Sequence, residues 1–161
     1  MSLVGTPVPR RWGRTVRVLV ADDHVTVRKG LCSILSTRAD IIICAEAADG
    51  QEAIDEANTK KPDLMILDIT MPKRDGFTAA RELRKLLPNA RILMFSMHDS
   101  VSFKETAKMV GANGFVVKSD PIRVLLDAVD AVMRGEEFFS SERTDSFNGS
   151  RRPIRTDSSV V

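Results

Sequence analysis

The sequence lacks the marks of several protein classes. No run approaches the ~20 apolar residues of a membrane-spanning helix. Pro7, Pro9, Arg10, Arg11 and Gly13 interrupt the place where a secretory signal would carry its apolar region. Cysteine is scarce. Cys32 and Cys44 each lie in an apolar stretch, which argues against a disulfide scaffold and for two reduced core thiols in a cytoplasmic protein. No glycine-rich loop of either common nucleotide-binding pattern is present. The two histidines, His24 and His98, have no partners at zinc-ligand spacing. The formal net charge of +2 comes from the ends, where Arg10, Arg11, Arg14 and Arg17 stand at one side and Arg143, Arg151, Arg152 and Arg155 at the other. The middle is mildly acidic. Neither end carries a recognition-helix pattern, so solvated tails are the expected reading, and no contact with nucleic acid or membrane is expected.

What is present is a rhythm. Short apolar runs alternate with amphipathic segments: VRVLVA (16–21), IIICA (41–45), LMIL (64–67), RILMF (91–95) and GFVV (114–117). Helices are predicted over about 25–37, 50–58, 77–87, 101–110 and 121–134. In the last, Asp120 is the expected N-cap and Pro121 the first helical residue, with Gly135 as the stop. Arg123, Asp127, Asp130 and Arg134 form its expected solvent stripe, and Ile122, Leu125, Leu126, Val129, Val132 and Met133 its inward face. Five strand-then-helix repeats imply a doubly wound parallel sheet with helices on both faces, of order 2-1-3-4-5, a flavodoxin-like α/β fold. At 161 residues the chain fits one domain with tails: an N-terminal extension over 1–15, a domain over 16–138 and a disordered tail over 139–161. The sequence leaves open whether Trp12 folds back on the domain.

Four of the runs end on residues suited to phosphoryl chemistry. The first ends at Asp22-Asp23, the third at Asp68, the fourth at Ser96 and the fifth at Lys118. Parallel strands would bring all five to the carboxyl edge of the sheet, where open α/β folds place their sites. Mg²⁺ takes about six oxygens, one or two of them from carboxylates, which two acids at one strand end and a third beside them satisfy. A carboxylate nucleophile is already ionised at neutral pH and needs its charge offset rather than a base. Lys118 would supply part of that offset, and the Ser96 hydroxyl one hydrogen bond. Either Asp22 or Asp23 alone could simply cap a helix, Asp68 could be a turn residue, Ser96 a loop serine, Lys118 a solvated one. His24 alone reads as a helix-start residue, and His98 as a neighbour of the phosphoryl group that could tune hydrolysis.

Asp22-Asp23, Asp68 with the following ITMPKRDG, Ser96, Phe115 and Lys118 resemble the receiver domain of two-component response regulators. ADDHVTVRKGL, FSMHD and GANGFVVKSD are most similar to the NarL/FixJ branch. The resemblance implies that Asp68 accepts a phosphoryl group from a sensor histidine kinase or phosphotransfer protein. It implies Mg²⁺ held by Asp22, Asp23, Asp68 and the backbone carbonyl of Thr70. It makes Lys118 the partner of the phosphoryl group, and Ser96 with Phe115 the switch pair. It further implies a signalling protein that assists its own phosphorylation and dephosphorylation, with homodimerisation through the fourth and fifth helices. The sequence departs from the pattern at Ser119, where proline usually follows the lysine. About twenty residues follow the domain, too few for the helix-turn-helix of that branch, so DNA binding is not expected of this chain. A truncated DNA-binding regulator is the alternative. A phosphatase using an aspartate nucleophile would need a second acid at the position of Thr70.

Overall fold

The computed structural model describes residues 12–139. Its order is β1 (Val16–Ala21), α1 (Val25–Ser36), β2 (Ile41–Ala47), α2 (Gly50–Lys60), β3 (Leu64–Leu67) and α3 (Gly76–Leu86), then β4 (Arg91–Ser96), α4 (Val101–Met109), β5 (Gly114–Val117), α5 (Ile122–Met133) and β6 (Phe138–Phe139). All strand pairs are parallel, and the order is β2-β1-β3-β4-β5-β6. The expected 2-1-3-4-5 core is present. The sixth strand, only two residues long, extends its edge beside β5. Phe139, assigned to the tail from sequence, is a buried residue of that strand. The remainder of the expected tail, 140–161, and residues 1–11 of the expected extension lie outside the described residues.

The strands are continuous apolar runs because both faces are covered. Alternate residues of each run feed opposite cores. Leu19, Met65, Leu67, Ile92, Met94 and Phe115 pack under α2, α3 and α4, with Ala53, Ala57, Ala80 and Leu83 facing them. Val18, Val20, Leu64, Ile66, Leu93 and Val116 pack under α1 and α5, against Leu31, Leu35, Val124, Ala128 and Val129. Each fully buried aliphatic side chain contributes about 1.5–3 kcal/mol. The two thiols sit half-buried on opposite sides of the sheet, and burial foremost pushes Cys32 up to about 11.

Three helices begin where a side chain satisfies their first free N–H groups. Asp49 caps α2 by accepting from Glu52 N, Asp75 caps α3 from Thr78 N, and Ser100 caps α4 from Phe103 N. The start of α5 differs from expectation. Pro121, with ψ of 145°, stands at the cap position and makes no side-chain cap, so the helix begins one residue later. Its buried face therefore includes Val124, while Ile122 is 45% exposed. Asp130, expected on the solvent stripe, is buried, and its Oδ1 lies 2.9 Å from Arg38 Nη1. Trp12 does fold back: the Arg38 guanidinium lies 4.8 Å from its ring centroid.

One close approach fixes the ground of the site. The N–H of Gly76 donates to Ile69 O at 2.7 Å. A Cβ there would stand 2.1 Å from the carbonyl oxygen of Asp68, so only glycine fits where α3 starts against the end of β3.

Candidate functional site

The parallel ladder runs one residue beyond β1 and β3. Asp68 N donates to Ala21 O at 2.9 Å, and Asp22 N donates to Ala47 O at 3.0 Å. Both acids are thus held as if still in the sheet, with their side chains at its carboxyl edge. Lys118 follows β5, its N–H donating to Ser96 O at 2.7 Å. Its ammonium reaches back across the edge, 2.6 Å from Asp22 Oδ2 and 3.2 Å from Asp68 Oδ2. Asp22 Oδ1 accepts from the N–H of His24 at 2.9 Å. Asp22 and Asp68 are buried, whereas Asp23 is exposed.

Ligand atoms of Asp22, Asp23, His24 and Asp68 all lie within 4.8 Å of one another. Burial foremost, and then the charge of Asp22, raises the Asp68 carboxyl above its ordinary value, with Lys118 opposing. The edge therefore carries more negative charge than its lysine offsets. Three carboxylates around a small volume form an oxygen donor set of the kind a hard divalent cation takes, so the residues present fit Mg²⁺.

Ser96 is fully buried at the end of β4, opposite Val117 in register and so beside the start of the Lys118 loop. Its hydroxyl oxygen accepts from the N–H of His98 at 3.1 Å. Phe115 is fully buried on β5, in the core beneath α4. Thr70 stands exposed two residues after Asp68. His98 turns its ring edge-on to Phe103, with centroids 5.0 Å apart, and Phe103 meets Phe77 in the same manner at 5.7 Å.

Sequence reasoning missed two participants, Arg28 and Lys104, and read a third, His24, only as a helix-start residue. His24 occupies the cap position of α1 without capping it; its Nδ1 is instead 3.0 Å from Asp23 Oδ1 and 3.4 Å from Asp22 Oδ1. Adjacency to the acid pair was the available signal. Arg28 donates to the Asp22 carbonyl oxygen at 2.7 Å. Lys104 is buried on α4, paired with Asp99, and its ammonium lies 5.9 Å from the Phe115 ring centroid. A lysine at an inward helical position was the only trace of that in the sequence.

A family model described as "Response regulator receiver domain" matches residues 18–130. The chain is 37% identical over 128 residues to the response regulator protein VraR of Staphylococcus aureus, covering 80% of this chain and 61% of that protein. It thus spans about three-fifths of the length of such curated relatives. Among solved structures, a LuxR-family two-component response regulator from Aurantimonas sp. aligns with a TM-score of 0.77 at 34% identity, over 85% of this chain and 98% of that one. A chain of the CheX-CheY-BeF3-Mg+2 complex of Borrelia burgdorferi aligns with a TM-score of 0.71 at 32% identity, over 75% of this chain and 91% of that one.

Proposed function

The chain belongs to the response regulator receiver family, and on that premise we propose that Asp68 takes a phosphoryl group from a phosphohistidine on a sensor histidine kinase or phosphotransfer protein. The observation that carries this is the single ammonium of Lys118, 2.6 Å from Asp22 and 3.2 Å from Asp68 at the head of the sheet.

An Asp68 carboxylate oxygen bonds to phosphorus as the nitrogen–phosphorus bond breaks, and the donor imidazole keeps the bonding pair and takes up a proton. Asp22, Asp23 and Asp68, with the Thr70 carbonyl, would hold Mg²⁺, which when bound offsets charge on the phosphoryl oxygens. Lys118 then leaves its carboxylate partners in part to pair with a phosphoryl oxygen. Ser96 exchanges its bond from His98 N for donation of its own hydroxyl proton to another. Removal of the phosphoryl group is self-assisted by the same groups: water attacks phosphorus, the bond to the Asp68 oxygen breaks, and inorganic phosphate leaves with the carboxylate restored.

The switch reading follows from energy. A charge-assisted hydrogen bond contributes about 1.5–3 kcal/mol, while inverting a 1:99 population takes about 5.5 kcal/mol. Ser96 alone falls short, so either the resting bias is smaller or binding of a partner or a second copy adds the remainder. Phe115 is already inward, so the phosphoryl group would stabilise a disposition the unphosphorylated chain samples. The surface read by partners is assigned to α4 and β5, and the face for homodimerisation to α4 and α5. The domain is assigned to 16–138, with 1–15 and the residues after the sheet as extensions, in a cytoplasmic protein.

Incubation with Mg²⁺ and acetyl phosphate should raise the intact mass by one phosphoryl group, and Asp68→Asn should show no gain. An unmodified wild-type chain would overturn the proposal. The alternative, a truncated DNA-binding regulator, draws on the greater length of the curated relatives. Salt-dependent binding of this chain to duplex DNA would favour it.

A further inference from the structure

Asp22 is held by more than its own strand. Its N–H donates to Ala47 O, and its carbonyl oxygen accepts from Arg28 Nη1 at 2.7 Å. The Arg28 side chain is only 13% exposed, although arginine ordinarily keeps its head in water. Its Nε donates to Glu46 Oε1 at 3.2 Å, and Lys29 Nζ donates to Glu46 Oε2 at 2.9 Å. Hydrogen bonds, that from Lys29 foremost, hold the Glu46 carboxyl below its ordinary value. Glu46 and Ala47 are consecutive residues at the end of β2, so both grips on the Asp22 main chain return to one strand end.

The oxygen that Arg28 holds belongs to the peptide unit joining Asp22 to Asp23. That unit is planar and contains both Cα atoms. One charge-assisted bond to it therefore sets the tilt from which both acid side chains spring. Asp22 is further fixed by His24 N and Lys118 at its two carboxylate oxygens, whereas Asp23 is exposed, with its Oδ1 3.0 Å from His24 Nδ1.

Resting on the reading of Asp22 and Asp23 as cation ligands, we propose that Arg28, anchored by Glu46, is the positioning residue of the divalent-cation site. Partners that orient ligands from outside the coordination sphere typically change metal affinity by about 10–100-fold when removed. Mg²⁺ requires near-octahedral geometry, whereas Ca²⁺ accepts irregular sites. Loosening the Asp22–Asp23 peptide should therefore penalise Mg²⁺ more than Ca²⁺. A role confined to stability would not produce that split.

The experiment is calorimetric titration of the full chain with MgCl₂ and, separately, CaCl₂, alongside the cation-free melting temperature. Arg28→Met should weaken Mg²⁺ about tenfold or more and Ca²⁺ distinctly less. Arg28→Lys, whose ammonium can reach the carbonyl but not fork to Glu46, should recover part of the loss. Glu46→Gln keeps Arg28 and removes only its anchor, so a smaller loss of the same kind is expected. The proposal is overturned if wild type binds Mg²⁺ and Arg28→Met binds it equally well. Should Arg28→Met fail to fold, unchanged Mg²⁺ affinity in Glu46→Gln overturns it. A wild-type chain that binds neither cation overturns the cation-site reading, and this proposal with it.

Discussion

At the amino edge of the sheet, the Asp63 carboxylate accepts from Arg17 N at 2.9 Å and pairs with Arg14 at 3.0 Å, while the Arg17 guanidinium donates to Lys60 O at 2.7 Å. Nearby, Arg84 donates to the carbonyl oxygens of Gly111, Ala90 and Pro88 and to Asn113 Oδ1, which also accepts from Ile92 N. At the carboxyl edge, Asp22, Asp23 and Asp68 crowd together, and Lys118 faces two of them. One edge gives each of these charged side chains a hydrogen-bond partner, an opposite charge for Asp63 and neutral oxygens alone for Arg84. The other keeps a surplus of one sign, and its nucleophile candidate is held above its ordinary pKa by burial and by Asp22. The difference teaches where the fold is stabilised and where it gives up stability for chemistry.

Substitutions at the two edges should therefore have opposite signatures. The largest contrast is Asp68→Asn, which should abolish phosphoryl uptake by mass yet raise the melting temperature. The sign follows from linkage. A carboxyl whose folded pKa lies above its unfolded value makes wild type lose stability as pH rises through that interval, and the loss is complete above the folded value. The advantage of Asp68→Asn should grow as pH rises from the unfolded carboxylate pKa through the folded one and vanish below the former, as thermal melts across pH would read. Next is Leu64→Ala, at the fully buried start of β3. It should cost about 2–5 kcal/mol in denaturant titration, with the folded fraction still labelled by acetyl phosphate. Arg84→Met should cost about 1–3 kcal/mol, because it leaves carbonyl oxygens without a donor, again with labelling intact. The smallest stability effect is expected of Ser96→Ala, under about 1 kcal/mol. Its consequence should appear only after labelling, as a reduced response of partner binding or self-association to phosphorylation. If Arg84→Met abolished labelling, or Asp68→Asn melted lower at pH 7, the contrast between the edges would not hold.

The strand runs were legible because each is apolar throughout and closed by a polar residue. That pattern alone placed Asp22, Asp68, Ser96 and Lys118 at one edge. β6 was not legible: two phenylalanines after Glu136 and Glu137 carry no periodicity. Neither was the phase of α5. Asp120 and Pro121 read as cap and first turn, but the extended ψ of Pro121 moved the start by one residue, which turned Ile122 outward and brought Val124 in. Asp130 looked solvated because its partner, Arg38, comes from the turn after α1. Arg28 was invisible for a related reason. Its role depends on Glu46, eighteen residues away, and on a backbone oxygen, and neither leaves a mark at helical spacing.

Gly76 carries a last consequence. With the Asp68 carbonyl oxygen 2.1 Å from where its Cβ would be, any side chain at 76 would push on the strand end that presents the Asp68 carboxylate. A mutational screen scored on signalling would flag this position as sharply as the acids themselves. The residue contributes no reactive group, and its whole contribution is the space it leaves empty.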